Sequence, residues 1–116
     1  MRILVVDDTP DAREVISAMA EALGHEVIQA HNGMEAVKAA VANSPELVLM
    51  DLMMPEVDGA QASAALRNIS TCVDLPIVLV TAFPQEVDTG MHHWDAFLKK
   101  PFSVGDLERV IEQFAR

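Results

Sequence analysis

Three acidic residues stand where short apolar runs end. Asp7 and Asp8 follow Ile3-Leu4-Val5-Val6, and Asp51 follows Leu47-Val48-Leu49-Met50. Two more runs lead to a hydroxyl and an ammonium: Pro76-Ile77-Val78-Leu79-Val80 to Thr81, and Ala96 through Lys99 to Lys100. Carboxylates brought together raise one another's pKa values, and a cation relieves the repulsion. Oxygen donors without His or Cys suit Mg2+, with Mn2+ as the alternative, held by one or two carboxylates plus phosphate oxygens. A lysine and a hydroxyl beside such a centre make a place for a phosphoryl group: the metal and the lysine neutralise its charge, and the hydroxyl donates a hydrogen bond. An aspartate carboxylate can itself accept that group. Each residue alone has a plainer role: Asp7 and Asp8 as turn or cap residues, Thr81 as structural, Lys100 as a solvated charge. Their coincidence at four strand ends points to chemistry.

That coincidence needs elements to create it. Ile3–Val6 is a compact β-branched run, the pattern of a buried strand. Thr9-Pro10 opens a helix, with Thr9 as cap and Pro10 in the first turn. Ala12, Val15, Ile16, Met19 and Leu23 follow at helical spacing, and Gly24 marks the stop. Glu26–Ala30 reads as a second strand. Asn32 with Glu35 opens a helix to about Asn43. The strand ending at Asp51 is followed by a Pro55 loop, Asp58-Gly59 and an alanine-rich helix to about Ser70. Pro76–Val80 and Ala96–Lys99 are the fourth and fifth strands. Ser103 with Asp106 caps a last helix striped by Val104, Leu107, Val110, Ile111 and Phe114. Strand alternating with helix predicts an α/β fold with a parallel sheet covered on both faces. Ligands of such sheets collect beyond the carboxyl ends of the strands, where strand order reverses. If the order is 2-1-3-4-5, Asp8 and Asp51 face each other there.

The segment Phe83–Asp95 is polar, carries Pro84 and Gly90, and has only a faint helical pattern. A fourth helix belongs here, short or irregular. The 116 residues predict one domain over 1–116, and a hydrophobic content of 51% argues against disorder. Eighteen acidic residues against eight basic ones give a net charge of −10, which disfavours nucleic acid and anionic membrane as direct partners. The lone cysteine, Cys72, forbids an internal disulfide and fits a reducing compartment. With no leader-like or membrane-length apolar stretch, the expected location is the cytoplasm.

Four motifs resemble the response-regulator receiver domain: Val5-Val6-Asp7-Asp8, Met50-Asp51-Leu52-Met53-Met54-Pro55-Glu56-Val57-Asp58-Gly59, Val80-Thr81-Ala82 and Lys100-Pro101-Phe102. The resemblance spans nearly the whole chain, and the Asp51–Gly59 motif is its most specific part. It implies a single doubly wound, flavodoxin-like sheet of five parallel strands in the order 2-1-3-4-5. It implies a phosphoacceptor of a two-component phosphorelay rather than an enzyme, with Asp51 phosphorylated from a histidine kinase or a histidine phosphotransfer protein. Asp8 and Asp51 would ligate Mg2+ directly, Asp7 through water, and Met53 through its backbone carbonyl. Lys100 would pair with one phosphoryl oxygen and Thr81 with another. Phe97 sits where the family carries a switch aromatic, and the Lys100-Pro101 bond would be cis. Phosphorylation would change a surface read by an output protein that the sequence does not name.

The chain departs from the family between Thr81 and Lys100, 19 positions apart and a few short of the usual spacing. His93-Trp94 replaces the common Gly-Ala there. Trp94 either anchors a partner or fills the gap. His92 and His93 are adjacent and point apart, which argues against a metal pair. Met53 and Phe83, both apolar, flank the expected site and predict slow hydrolysis of a phosphoryl group. An Asp-nucleophile phosphatase would carry a second Asp two residues after the first at the end of strand one, and Asp7-Asp8-Thr9 lacks that spacing. A phosphorylation-independent adaptor would have lost acidic residues, and none is missing. No glycine-rich loop follows the first strand, which disfavours nucleotide binding.

Overall fold

The computed structural model describes residues 1–83 and 93–115. Five strands, β1 (Arg2–Val6), β2 (Glu26–Ala30), β3 (Leu47–Asp51), β4 (Ile77–Thr81) and β5 (Ala96–Lys99), form one sheet in the order β2-β1-β3-β4-β5. Every pairing is parallel. Helices α1 (Pro10–Ala22), α2 (Gly33–Asn43), α3 (Gly59–Arg67) and α4 (Val104–Phe114) cover it, with a 3₁₀ turn at Ser70–Cys72. No helix among the described residues is long and apolar enough to cross a membrane. The helix expected within Phe83–Asp95 falls largely at 84–92, outside the described residues, as does His92; α4 is the helix predicted from Ser103 and Asp106.

All five residues of β3 and of β4 are buried, because helices lie on both faces of these central strands. Alternate side chains therefore feed two separate cores. Leu4, Val6, Val48, Met50, Ile77 and Leu79 pack toward α2 and α3. Ile3, Val5, Leu47, Leu49, Val78 and Val80 pack with Ile16 and Ala20 of α1 and Leu107 and Ile111 of α4.

Local signals account for most boundaries. Asn32 caps α2 by accepting from Glu35 N–H at 2.7 Å. Asp58 with Gln61, and Ser103 with Asp106, form reciprocal capping boxes at α3 and α4. Gly24 takes φ +93° just past α1, a conformation that disfavours a side chain.

Three expectations need correction. Thr9 occupies the N-cap position of α1, but its side chain makes no capping bond. Its backbone N–H instead donates to Asp7 Oδ1 at 2.9 Å. Helix α3 stops at Arg67 rather than near Ser70, because Ile69 turns extended and packs against the α2–α3 core. Val104 lies on the expected stripe of α4 yet is exposed, since it is the helix's first residue. Trp94 is buried in the α2–α3 core beside Phe97, with ring centroids 5.8 Å apart. It packs in that core rather than standing exposed.

Candidate functional site

The register of the sheet brings the strand ends together. Val6 of β1 pairs with Met50 of β3, so Asp7 and Asp51 each stand one residue past that pair on adjacent strands. Carboxylate oxygens of Asp7, Asp8 and Asp51 all lie within 4.8 Å of one another. Lys100 reaches in from the β5–α4 loop, its Nζ 3.8 Å from Asp7 Oδ2 and 3.8 Å from Asp51 Oδ1. Thr81 ends β4, the strand next to β3, and is buried. Its Oγ1 accepts from Phe83 N–H at 3.1 Å, leaving the hydroxyl proton to donate elsewhere.

The loop after β3 is shaped by close packing. A Cβ on Gly59 would lie 2.7 Å from the Asp51 carbonyl oxygen and 3.0 Å from Leu52 Cα. Only glycine lets the start of α3 approach the Asp51 backbone this closely, with Gly59 N–H bonded to Leu52 O at 2.9 Å. Glu56 turns the loop with φ +66°. Met50 and Met54 are buried and act in packing, whereas the Met53 side chain is 74% exposed. The backbone N–H of Met53 donates to Asp51 Oδ1 at 3.2 Å.

Burial pushes the Asp51 carboxyl above the ordinary carboxylate value. Lys100 and the Met53 N–H oppose this, while Asp7 and Asp8 add to it. Asp7 is almost wholly buried, and its Oδ2 has no hydrogen-bond partner. A buried carboxylate oxygen in that position is costly unless something positive meets it. The lysine at 3.8 Å meets it only in part. The clustered donors are all carboxylate oxygens, which hard divalent cations take, so the residues fit such an ion.

Other predicted residues fall nearby. The Lys100–Pro101 peptide is cis. Phe97, opposite Leu79 on β5, is half-buried against the α2–α3 core. Met53 and Phe83 are exposed at the same edge. Sequence reasoning passed over two arginines. Arg67 donates to the backbone oxygens of Cys72, Val73, Leu75 and His93 and pairs with Asp95 at 2.8 Å. Arg13 donates to the Asp7 backbone oxygen at 2.9 Å. Acceptors of this kind leave no mark in a sequence, because every residue carries a carbonyl.

An open parallel α/β sheet with an acidic cluster at the switch point between β1 and β3 defines a class of ligand-binding domains. Residues 3–112 match the family model described as the response regulator receiver domain, and the chain belongs to that family. It is 40% identical over 87 residues to protein PilH of Pseudomonas aeruginosa, covering 75% of this chain and 72% of that protein. It is 35% identical to the DNA-binding dual master transcriptional regulator RpaA of Synechocystis, covering 91% of this chain but 45% of that protein. The chain thus spans about half the length of several regulators it matches. Among solved structures, the receiver domain of a sensor histidine kinase from Pseudomonas aeruginosa, with a magnesium ion coordinated in its active site cleft, superposes with a TM-score of 0.89 at 30% identity. The match covers 97% of this chain and 95% of that one. TrrA of Thermotoga maritima, in complex with Mg(2+)-BeF, superposes with a TM-score of 0.86 at 29% identity over 98% of both chains. The chain is therefore a receiver domain of two-component signalling, a family of aspartyl phosphoacceptors that work with histidine kinases and output domains.

Proposed function

We propose that Asp51 is the residue phosphorylated, assisted by Mg2+ (or Mn2+) held by Asp8 and Asp51 directly, Asp7 through water, and the Met53 carbonyl. The observation that carries this reading is the convergence of three carboxylates within 4.8 Å, one of them buried with an oxygen that accepts no hydrogen bond, with Lys100 at 3.8 Å. An Asp51 oxygen attacks the phosphorus of a phosphohistidine on a kinase or phosphotransfer protein. The O–P bond forms as the N–P bond breaks, and the imidazole leaves with the electron pair and takes up a proton. Lys100 holds a phosphoryl oxygen by charge, and the Thr81 hydroxyl donates to another. A bound Mg2+ would neutralise charge on the transferring oxygens. Thr81 and Phe97 form the switch that carries the change to a surface read by an output protein.

The same groups assist the later hydrolysis, in which water attacks the phosphorus of the acyl phosphate and the Asp51 carboxylate leaves. Met53 and Phe83 stand at this edge with apolar, exposed side chains, which exclude water and cannot orient it. The phosphorylated form is accordingly long-lived, and a lifetime of seconds for the intact protein would overturn this. The reading takes residues 1–116 as one receiver domain at work in the cytoplasm, with protein partners, since a net charge of −10 repels nucleic acid and anionic membrane. Incubation with Mg2+ and acetyl phosphate, followed by intact mass, tests it. The wild type gains one phosphoryl group and Asp51→Ala gains none. Equal gain by both, or a gain untouched by chelator, overturns the assignment.

A further inference from the structure

Arg13 stands in the second turn of α1, over the turn that carries Asp7 and Asp8. Its Nη1 donates to the Asp7 carbonyl oxygen at 2.9 Å, and its Nε donates to Gln29 Oε1 on β2 at 3.0 Å. The choice of acceptors is informative. Arginine binds carboxylates more strongly than neutral oxygens, and the chain holds 18 acidic residues, three of them at this edge. Yet among the described residues the ion pairs of this cluster belong to Lys100, not to Arg13. The Asp7 carbonyl lies past the last paired residue of β1, Val6, so the sheet has no strand donor waiting for it. The guanidinium supplies one and ties β1, α1 and β2 together at the point where the chain leaves the sheet.

We propose that Arg13 is a positioning residue for the cation site. It fixes the main chain of the Asp7-Asp8 turn, and hence where both side chains project, while leaving all three carboxylates free for the ion. Three bonds hold Asp7 in this turn, and its own N–H makes the first, to Ala30 O at 3.2 Å. Thr9 N–H orients Asp7 through Oδ1, and Arg13 holds the same residue through its backbone oxygen. The inference rests on the cation-binding reading above. It also makes a prediction opposite in sign to simple electrostatics, because removing a positive charge near a cation site should by itself tighten the cation.

Calorimetric titration of Mg2+ into the 116-residue chain, with metal-free melting temperatures alongside, separates these readings for wild type, Arg13→Gln and Arg13→Lys. Positioning predicts that Arg13→Gln weakens Mg2+ by about tenfold, the lower end of losses seen when outer-shell partners of a metal site are removed. Arg13→Lys, which keeps the charge but loses the planar fork that reaches both acceptors, falls between wild type and Arg13→Gln. Mg2+ binding by Arg13→Gln equal to or tighter than wild type overturns the role of Arg13 alone. Parallel loss of melting temperature with unchanged affinity does the same, since that is a purely structural part. A wild type that binds no Mg2+ overturns the cation site itself.

Discussion

The two ends of the sheet treat charge in opposite ways. At the amino end, charge is matched within the chain. Arg2 pairs with Glu26 at 2.9 Å, donates to the Asn43 backbone oxygen at 2.7 Å, and offers its backbone N–H to Glu46 at 3.0 Å. At the carboxyl end, Asp7, Asp8 and Asp51 converge on Lys100, which stays 3.8 Å from two of them. The strands at both ends are the same strands, so the difference lies in which side chains terminate them. One end is closed, and the other holds an electrostatic deficit, three carboxylates against one lysine. The lesson is that one sheet can keep its charges paired at one edge and gather like charges at the other.

The sharpest way to break this contrast is at Asp51. Asp51→Asn should abolish Mg2+-dependent phosphoryl uptake, read by intact mass, while raising the melting temperature of the metal-free protein. The sign follows from the raised carboxyl value in the folded state. The folded protein holds this proton more tightly than the unfolded chain, so Asp51 favours folding at low pH. That contribution is lost as pH rises through the folded value. Melts in chelator should therefore show wild type and variant alike at acid pH and diverging toward neutrality. A variant less stable than wild type at neutral pH would contradict the deficit.

The next effect is steric. Gly59→Ala puts a methyl group 2.7 Å from the Asp51 carbonyl oxygen, where backbone must move to admit it. Loss of about 1–3 kcal/mol is expected from urea unfolding, the usual range for overpacking. Filling the carboxyl end should do the opposite. Magnesium at ten times its dissociation constant should stabilise the chain by about 1.4 kcal/mol, and the gain should disappear in Asp51→Ala. The smallest effect belongs to the amino end. Arg2→Ala removes a partly exposed ion pair and a bond to a backbone oxygen, for about 1 kcal/mol in urea, with Mg2+ affinity unchanged. A change in affinity there would show that the two ends are not independent.

Most of the frame was legible because its signals are local. Short apolar runs mark the strands, and Asn32, Asp58 and Ser103 each cap their helix through a partner three residues on. The acidic cluster was legible because register follows from topology: once β1 and β3 are neighbours, residues just past their ends must meet. What escaped depends on contacts distant in sequence. The burial of Trp94 follows from its packing against Phe97 and the core under α2 and α3, and its neighbours in sequence do not announce it. Arg67 gathers three carbonyls from the turn at Cys72, Val73 and Leu75 and a fourth from His93, 26 residues on. Thr9 looked like a cap by type, but the carboxylate of Asp7 had already taken its N–H.

The 3₁₀ turn at Ser70–Cys72 has one more consequence. Cys72 is the chain's only cysteine, and it is 2% exposed, packed in the half of the core that holds Trp94. A thiol reagent in solution can reach that sulfur only when this half opens. Labelling kinetics at a single atom would then serve as a clock for the opening of one face of the sheet, with the opposite face, packed by α1 and α4, contributing no signal. Run with and without Mg2+, the clock would tell whether a ligand at the strand ends steadies this half of the interior.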